Sequence, residues 1–299
     1  MNDPLAILNR LVESGDENLF PAPPPSTNVF VIGSPRSGTT ILTQMLTYLL
    51  DIGYINNLTA AFWNSPALGV LISRKLVNGK SFAGVSEFGV TNDVSEPHEF
   101  GGFWRKHLDY PDMTQQMSHP IAWSQLLHSL DQIGAAWQKP VIYKVFQLYW
   151  HLVEFHQLRP DTKWIWVERD PIDNAASLQK LYLKRKEVDG WTSAVPREAL
   201  RFGDHGILPK CAAQIHYTNQ WIRNQLALIP HANWLRVPLG DLVNSPNETM
   251  RYIGDFLGMS FVPADLKRIE DSIVPSQPVE PRLGVDFAEA FRIVSRGEK

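Results

Sequence analysis

The segment from Val29 to Leu49 constrains this chain more than any other part of it. Val29 to Ile32 form a short, unbroken apolar run, the pattern of a strand buried on both faces of a parallel sheet. Gly33 follows, then four residues, then Gly38-Thr39-Thr40, and then apolar positions at helical spacing: Ile41, Leu42, Met45, Leu46 and Leu49. This is the frame of a Walker A phosphate loop, with Thr39 where the frame carries lysine. Glycines in such a loop let backbone N–H groups close around phosphate oxygens at a helix N-terminus. The lysine that is missing is the group that reaches the β- and γ-phosphates. The loop therefore suits a nucleotide with a 5′-phosphate and no triphosphate tail.

Arg36 stands inside the loop, between Pro35 and Ser37, where its side chain projects toward a bound anion. A guanidinium there offers a fixed charge and several donors to a group that gains negative charge during transfer. The run Pro35-Arg36-Ser37-Gly38-Thr39-Thr40 after an apolar strand resembles the 5′-phosphosulfate loop of the sulfotransferase family, which uses 3′-phosphoadenosine 5′-phosphosulfate (PAPS).

A second motif agrees. Trp164 to Val167 is another buried strand, and Asp170-Pro171 starts a helix, with aspartate as N-cap and proline at the first helical position. Arg169 then stands at the carboxyl edge of a parallel sheet, where open α/β folds bind ligands. Ser177 falls in the second turn of the following helix. The pair resembles the family's site for the ribose 3′-phosphate. A 5′-phosphate loop with a separate 3′-phosphate clamp implies PAPS as donor and PAP as product.

The resemblance also implies the chemistry. Sulfuryl transfer is akin to phosphoryl transfer, catalysed by positioning and electrostatics. Arg36 is one clamp residue, and Lys144, at the end of the run Val141 to Phe146, resembles the family's catalytic lysine. Cytosolic relatives carry Lys-Thr-His on that strand; here the triplet is Lys144-Val145-Phe146, so that histidine is absent. The glycan and tyrosyl branches use a glutamate in segments similar to KEPHFF. The corresponding run here, Ser95-Glu96-Pro97-His98-Glu99-Phe100, points to Glu96 as the base, with Glu99 and His98 in reserve. His151 and His156 read as structural.

Composition sets the outer bounds. A chain of 299 residues with 44% hydrophobic and 20% charged residues forms a well-buried globular domain. A net charge of −3 argues against a general nucleic-acid binder, so an anion site must be a local concentration of arginine and lysine. Cys211 is the single cysteine, which excludes a disulfide framework and a cysteine metal cluster. No apolar run reaches membrane-spanning length, and the first residues lack a basic-then-apolar leader, so a cytoplasmic enzyme without stable membrane insertion is expected. Metal independence is expected as well, because no triphosphate needs bridging.

Residues 1–27 read as an amphipathic segment followed by a proline-rich connector, and 28–299 as one domain with substrate-side loops at 51–118 and 182–210. A helix is predicted over Ile121 to Trp137, another over Cys211 to Leu228, and a strand over Ala232 to Val237. Ser245-Pro246 with Glu248 predicts a capping box and Gly258 the stop of a final core helix. This stretch resembles the family's YEDL…P…FLG segment, departing from it at Leu239 and Gly240. Ten tryptophans, with Trp63, Trp104 and Trp191 in loop-like regions, suit stacking on an acceptor. Lys184-Arg185-Lys186 ends the 3′-phosphate helix and suits an anionic ligand.

The expectation is an α/β three-layer sandwich around a central parallel sheet, P-loop-kinase-like, that moves a sulfuryl group to a hydroxyl, or less readily an amine. The acceptor is a small molecule, glycan or lipid. The acceptor's identity and the oligomeric state are left open. Two other readings stay open: a kinase using ATP and Mg²⁺, and a non-catalytic PAP or PAPS binder.

Overall fold

Phe30 lies stacked between Tyr143 and Trp164, with ring centroids 5.4 and 4.9 Å away. The three are register partners on adjacent parallel strands, so one aromatic ladder crosses the middle of the sheet. Each such pair adds about 0.5–1.5 kcal/mol beyond the area it buries. The computed structural model describes residues 3–77, 82, 91, 93–108, 114, 120–186, 189–261, 267, 269 and 279–297. Parts of both expected substrate-side loops (78–81, 83–90, 92, 109–113, 115–118 and 187–188) lie outside the described residues.

The sheet comprises β1 (Asn28–Ile32), β2 (Gly53–Tyr54), β3 (Val141–Lys144), β4 (Lys163–Glu168) and β5 (Trp234–Pro238), in the spatial order β2-β3-β1-β4-β5. All four pairings are parallel. The helices up to residue 257 are α1 (Pro4–Leu11), α2 (Gly15–Leu19), α3 (Thr39–Leu49), α4 (Asn57–Ala60), α5 (Pro66–Leu76), α6 (Gly101–Leu108), α7 (Trp123–Trp137), α8 (Leu152–Leu158), α9 (Pro171–Arg185), α10 (Ile207–Leu226), α11 (Leu239–Asn244) and α12 (Pro246–Leu257). A further helix spans Pro281–Arg296 and packs on α9 and α10.

Alternation along the strands makes three layers. Phe30 and Ile32 face a core shared with Leu130, Ile133, Phe155 and Ile222 of α7, α8 and α10. Val29 and Val31 face the opposite core, built with Leu42, Leu46, Met250 and Ile253 of α3 and α12. Successive strand side chains point to opposite faces, so a wholly apolar strand requires a helix layer on each side. That is the α/β sandwich expected from the sequence.

Some local expectations were displaced. Ser245 is the N-cap residue of α12, but its side chain makes no capping bond, so the capping box is not formed. Trp104 is no loop residue: it sits in α6, 1% exposed, with its ring edge-on to Tyr143. The helix expected from Cys211 begins a turn earlier, at Ile207. Gly258 does end α12, in the left-handed conformation (φ 66°) that glycine adopts without steric cost. Among the described residues no helix is long and apolar enough to cross a membrane.

Candidate active site

Because β1 is flanked by β3 on one side and β4 on the other, the chain segments leaving their carboxyl ends converge. This is the switch point where open α/β sheets form a crevice. The loop after β1 carries Pro35 to Thr40, Lys144 ends β3, and Arg169 follows β4. Residues far apart in the chain become neighbours for that reason alone.

The phosphate loop has the shape its glycines require. Gly38 is the N-cap of α3, and its positive φ of 102° would strain any residue with a Cβ; that Cβ, 2.5 Å from Leu239 Cδ1, would also displace the leucine. No side chain caps α3, so its first N–H groups lack an intrahelical acceptor and face the loop. Ser37 Oγ is turned inward beneath Gly33 and finds no hydrogen-bond partner among the described residues. Pro35 offers its carbonyl to Asn174 Nδ2 at 2.5 Å, and Thr39, 4% exposed, offers its own to Thr43 Oγ1 at 2.7 Å.

Arg36 adopts a left-handed backbone (φ 67°), a conformation that carries strain for any residue with a Cβ. Its Nε donates to Ser177 Oγ at 3.3 Å, and its backbone carbonyl accepts from Arg169 Nη1, also at 3.3 Å. The first motif and the second therefore touch directly. Burial, and after it the neighbouring Arg169 charge, hold the Arg36 pKa below the usual arginine range; Glu99 opposes this. Burial does the same to Arg169. Two guanidiniums crowded in a poorly solvated crevice are stabilised by an anion that both can bind.

Lys144, 5% exposed, donates to Thr40 Oγ1 at 2.5 Å and pairs with Glu99 Oε1 at 2.6 Å. The carboxylate beside the lysine is thus Glu99. Glu96, 1% exposed, instead accepts from Gln44 Nε2 of α3 at 2.8 Å. His98 Nδ1 accepts from the Phe100 backbone N–H at 2.8 Å, which leaves its proton on Nε2. Burial pulls the His98 pKa below its ordinary value, with Glu99 raising it and Lys144 lowering it.

Sequence reasoning missed two supporting residues, Ser34 and Asn174. Ser34 Oγ donates to Asn174 Oδ1 at 2.8 Å, and with the Pro35 bond this fully buried pair ties the loop to the first turn of α9. Asn174 follows the helix cap at Asp170, but nothing in its local pattern announces a partner 139 residues away. Arg185, whose charge also reaches Arg36, is held by Thr192 Oγ1 at 2.9 Å. Trp191, set aside for acceptor stacking, lies 4.7 Å from the buried Lys210 ammonium. Among the described residues no three His, Cys, Asp or Glu side chains gather closely enough to hold a metal ion.

The arrangement gathers Arg36, Arg169, Lys144 and the uncapped start of α3 in one crevice, a setting that suits anionic groups. The profile of the Sulfotransferase family matches residues 28–263. Among solved structures, sulfotransferase STF9 from Mycobacterium avium superposes with a TM-score of 0.65 at 14% identity, covering 97% of this chain and 80% of that one. Sulfotransferase STF1 from Mycobacterium tuberculosis H37Rv superposes with a TM-score of 0.58 at 14% identity, covering 98% and 82%. At such identity what is shared is the fold. No curated protein matches the chain by sequence.

Proposed function

The chain belongs to the sulfotransferase family, and from that premise we propose that it transfers a sulfuryl group from PAPS to an acceptor hydroxyl. The observation that carries the choice of donor is the 3.3 Å contact between Arg36 Nε and Ser177 Oγ. It joins the 5′-phosphate loop to the 3′-phosphate clamp, so one ligand with both phosphates would be gripped at both ends.

The residues fit such a ligand. The uncapped start of α3, Gly38, Thr39 and Thr40 would hold the 5′-phosphate side, and Arg169 with Ser177 the 3′-phosphate. PAPS, when bound, supplies the sulfuryl group: an S–O bond forms at the acceptor while the S–O bond to the 5′-phosphate breaks, releasing PAP. Arg36 and Lys144 hold the charge that gathers on the non-bridging and leaving oxygens. Glu99 takes the acceptor's proton on a carboxylate oxygen, which its contact with Lys144 supports over the Glu96 first expected. Glu96 would position α3 through Gln44.

A thermal shift measured with PAP, with ATP plus Mg²⁺, and with neither tests this. Ligand at a hundred times its dissociation constant adds about 2.7 kcal/mol, several degrees for a domain of this size. PAP alone should stabilise, with or without EDTA. Stabilisation by ATP and Mg²⁺ only would sink the reading.

A further inference from the structure

A cleft of about 430 Å³, a volume within the range of small-molecule sites, has His98 in its wall. Leu5, Ala60, Ala61, Trp63, His98 and Arg105 line it. Its link to the proposed reacting centre is His98. That residue precedes Glu99, whose Oε1 pairs with Lys144 Nζ at 2.6 Å. An acceptor in the cleft would therefore lie against the segment that carries Glu99.

The walls have a distinct chemistry. Leu5, Ala60 and Ala61 are apolar, and the Trp63 indole lies against the backbone of Gly102, where a Cβ would come within 3.2 Å of the ring. Leu5 belongs to α1, which precedes the segment matched by the family profile yet is firmly anchored. Asn9, 1% exposed, donates to the Ala61 carbonyl at 2.8 Å and accepts from the Asn64 N–H at 2.9 Å. That clamp fixes α1 as a wall rather than a loose tail. Arg105 stands at the rim, its Nε on the Gly101 carbonyl at 3.3 Å and no carboxylate paired with it among the described residues. Cations in a last helical turn are favoured by the dipole. The dipole explains the charge of α6, but not its place beside an indole and an apolar wall.

Building on the sulfotransferase reading, we propose that this cleft receives the acceptor, and that the acceptor is a phenol or alcohol with a flat apolar body and an anionic group. The body lies against Trp63 and Leu5, the anion meets Arg105, and the hydroxyl points to Glu99. Arg105 and Trp63 are then the residues that set specificity.

Three phenols of one skeleton test this: 3-(4-hydroxyphenyl)propionate, its primary amide, and tyramine. Binding is read by calorimetry and sulfuryl transfer by PAP release, all at one pH. The carboxylate should exceed tyramine by about tenfold or more in kcat/KM and in affinity, equivalent to about 1.4 kcal/mol. Arg105→Glu should invert the order, Arg105→Gln should flatten it, and Leu5→Ser should raise KM for all three while leaving kcat. An unchanged order in both Arg105 variants overturns the proposal. So does stabilisation by PAP with no binding or turnover of any probe, a result that leaves the sulfotransferase reading standing. Absence of PAP stabilisation instead removes that reading, and calorimetry then still decides whether the cleft prefers the anionic phenol.

Discussion

The Lys144 ammonium lies 2.6 Å from Glu99 Oε1. The lysine is 5% exposed while the glutamate side chain is 38% exposed, so the pair spans the boundary between the sheet's edge and the open crevice. A carboxylate in that position can meet a solvent-borne hydroxyl. Glu96, sealed against Gln44, is poorly placed to do so.

Glu99→Gln should keep the lysine's hydrogen-bonding partner while removing the base. The expected loss in kcat is about 10²–10⁴-fold, with PAP binding unchanged. Glu96→Gln should cost far less turnover. Steady-state kinetics on both variants decides it, and a Glu96→Gln enzyme that is dead beside an active Glu99→Gln would return the role to Glu96.

Arg36 is held in a left-handed conformation beside a second arginine. Strain of this kind costs about 1–3 kcal/mol, and glycine in its place loses roughly 0.5–1 kcal/mol through unfolded-chain entropy. Arg36→Gly should therefore raise the ligand-free stability by about 1 kcal/mol while abolishing most of the stabilisation by PAP. Urea unfolding with and without PAP measures both. A variant less stable than wild type without ligand would show that Arg36 serves the fold.

Burial, and secondarily the adjacent Lys106 charge, push the His107 pKa down to about 4. Its ring packs on Phe103 at 4.4 Å in α6, the helix that carries Arg105. Above pH 6.5 the ring is neutral in both folded and unfolded chains and stability is insensitive to it. Between pH 6.5 and about 4 only the unfolded chain takes up the proton, so stability falls as pH falls. His98, His151 and His156 are shifted in the same direction. His107→Phe should keep more of its pH 7 stability at pH 5 than wild type does, as read by denaturant midpoints. Equal losses would remove His107 from the acid response.

Asp16 serves as a remote cap for α5. Its carboxylate accepts the Ala67 and Leu68 N–H groups, each at 2.8 Å, whereas Ser65 at the N-cap position donates its hydroxyl to the Val12 carbonyl instead. Asp16→Ala should cost about 1–2 kcal/mol of stability and loosen the α1 wall, raising acceptor KM with PAP affinity intact. Thermal unfolding and kinetics together test it. An unaffected KM would separate the cap from the cleft.

Much of this was written locally. Apolar runs identified β1, β3 and β4, Asp170-Pro171 marked the start of α9, and the glycines of the phosphate loop stand where their backbone angle and close packing require them. Each is encoded within a few consecutive residues, where steric and hydrogen-bonding preferences act without help from the rest of the chain. The same short-range logic failed at Ser245, where local pattern promised a cap that the folded backbone (φ −138°, ψ 56°) does not make.

The sequence by itself thus determined a buried parallel sheet, a glycine loop of Walker A spacing without its lysine, and the proline-started helix that follows Arg169. Only the tertiary structure decided that Glu99 rather than Glu96 meets Lys144, that Asn174 braces the loop, and that α1 walls a cleft beside His98. Those contacts join segments brought together by strand order. A carboxylate's partner depends on which side of a loop faces the sheet edge, and Glu96 and Glu99 lie too close in the chain for local pattern to tell them apart.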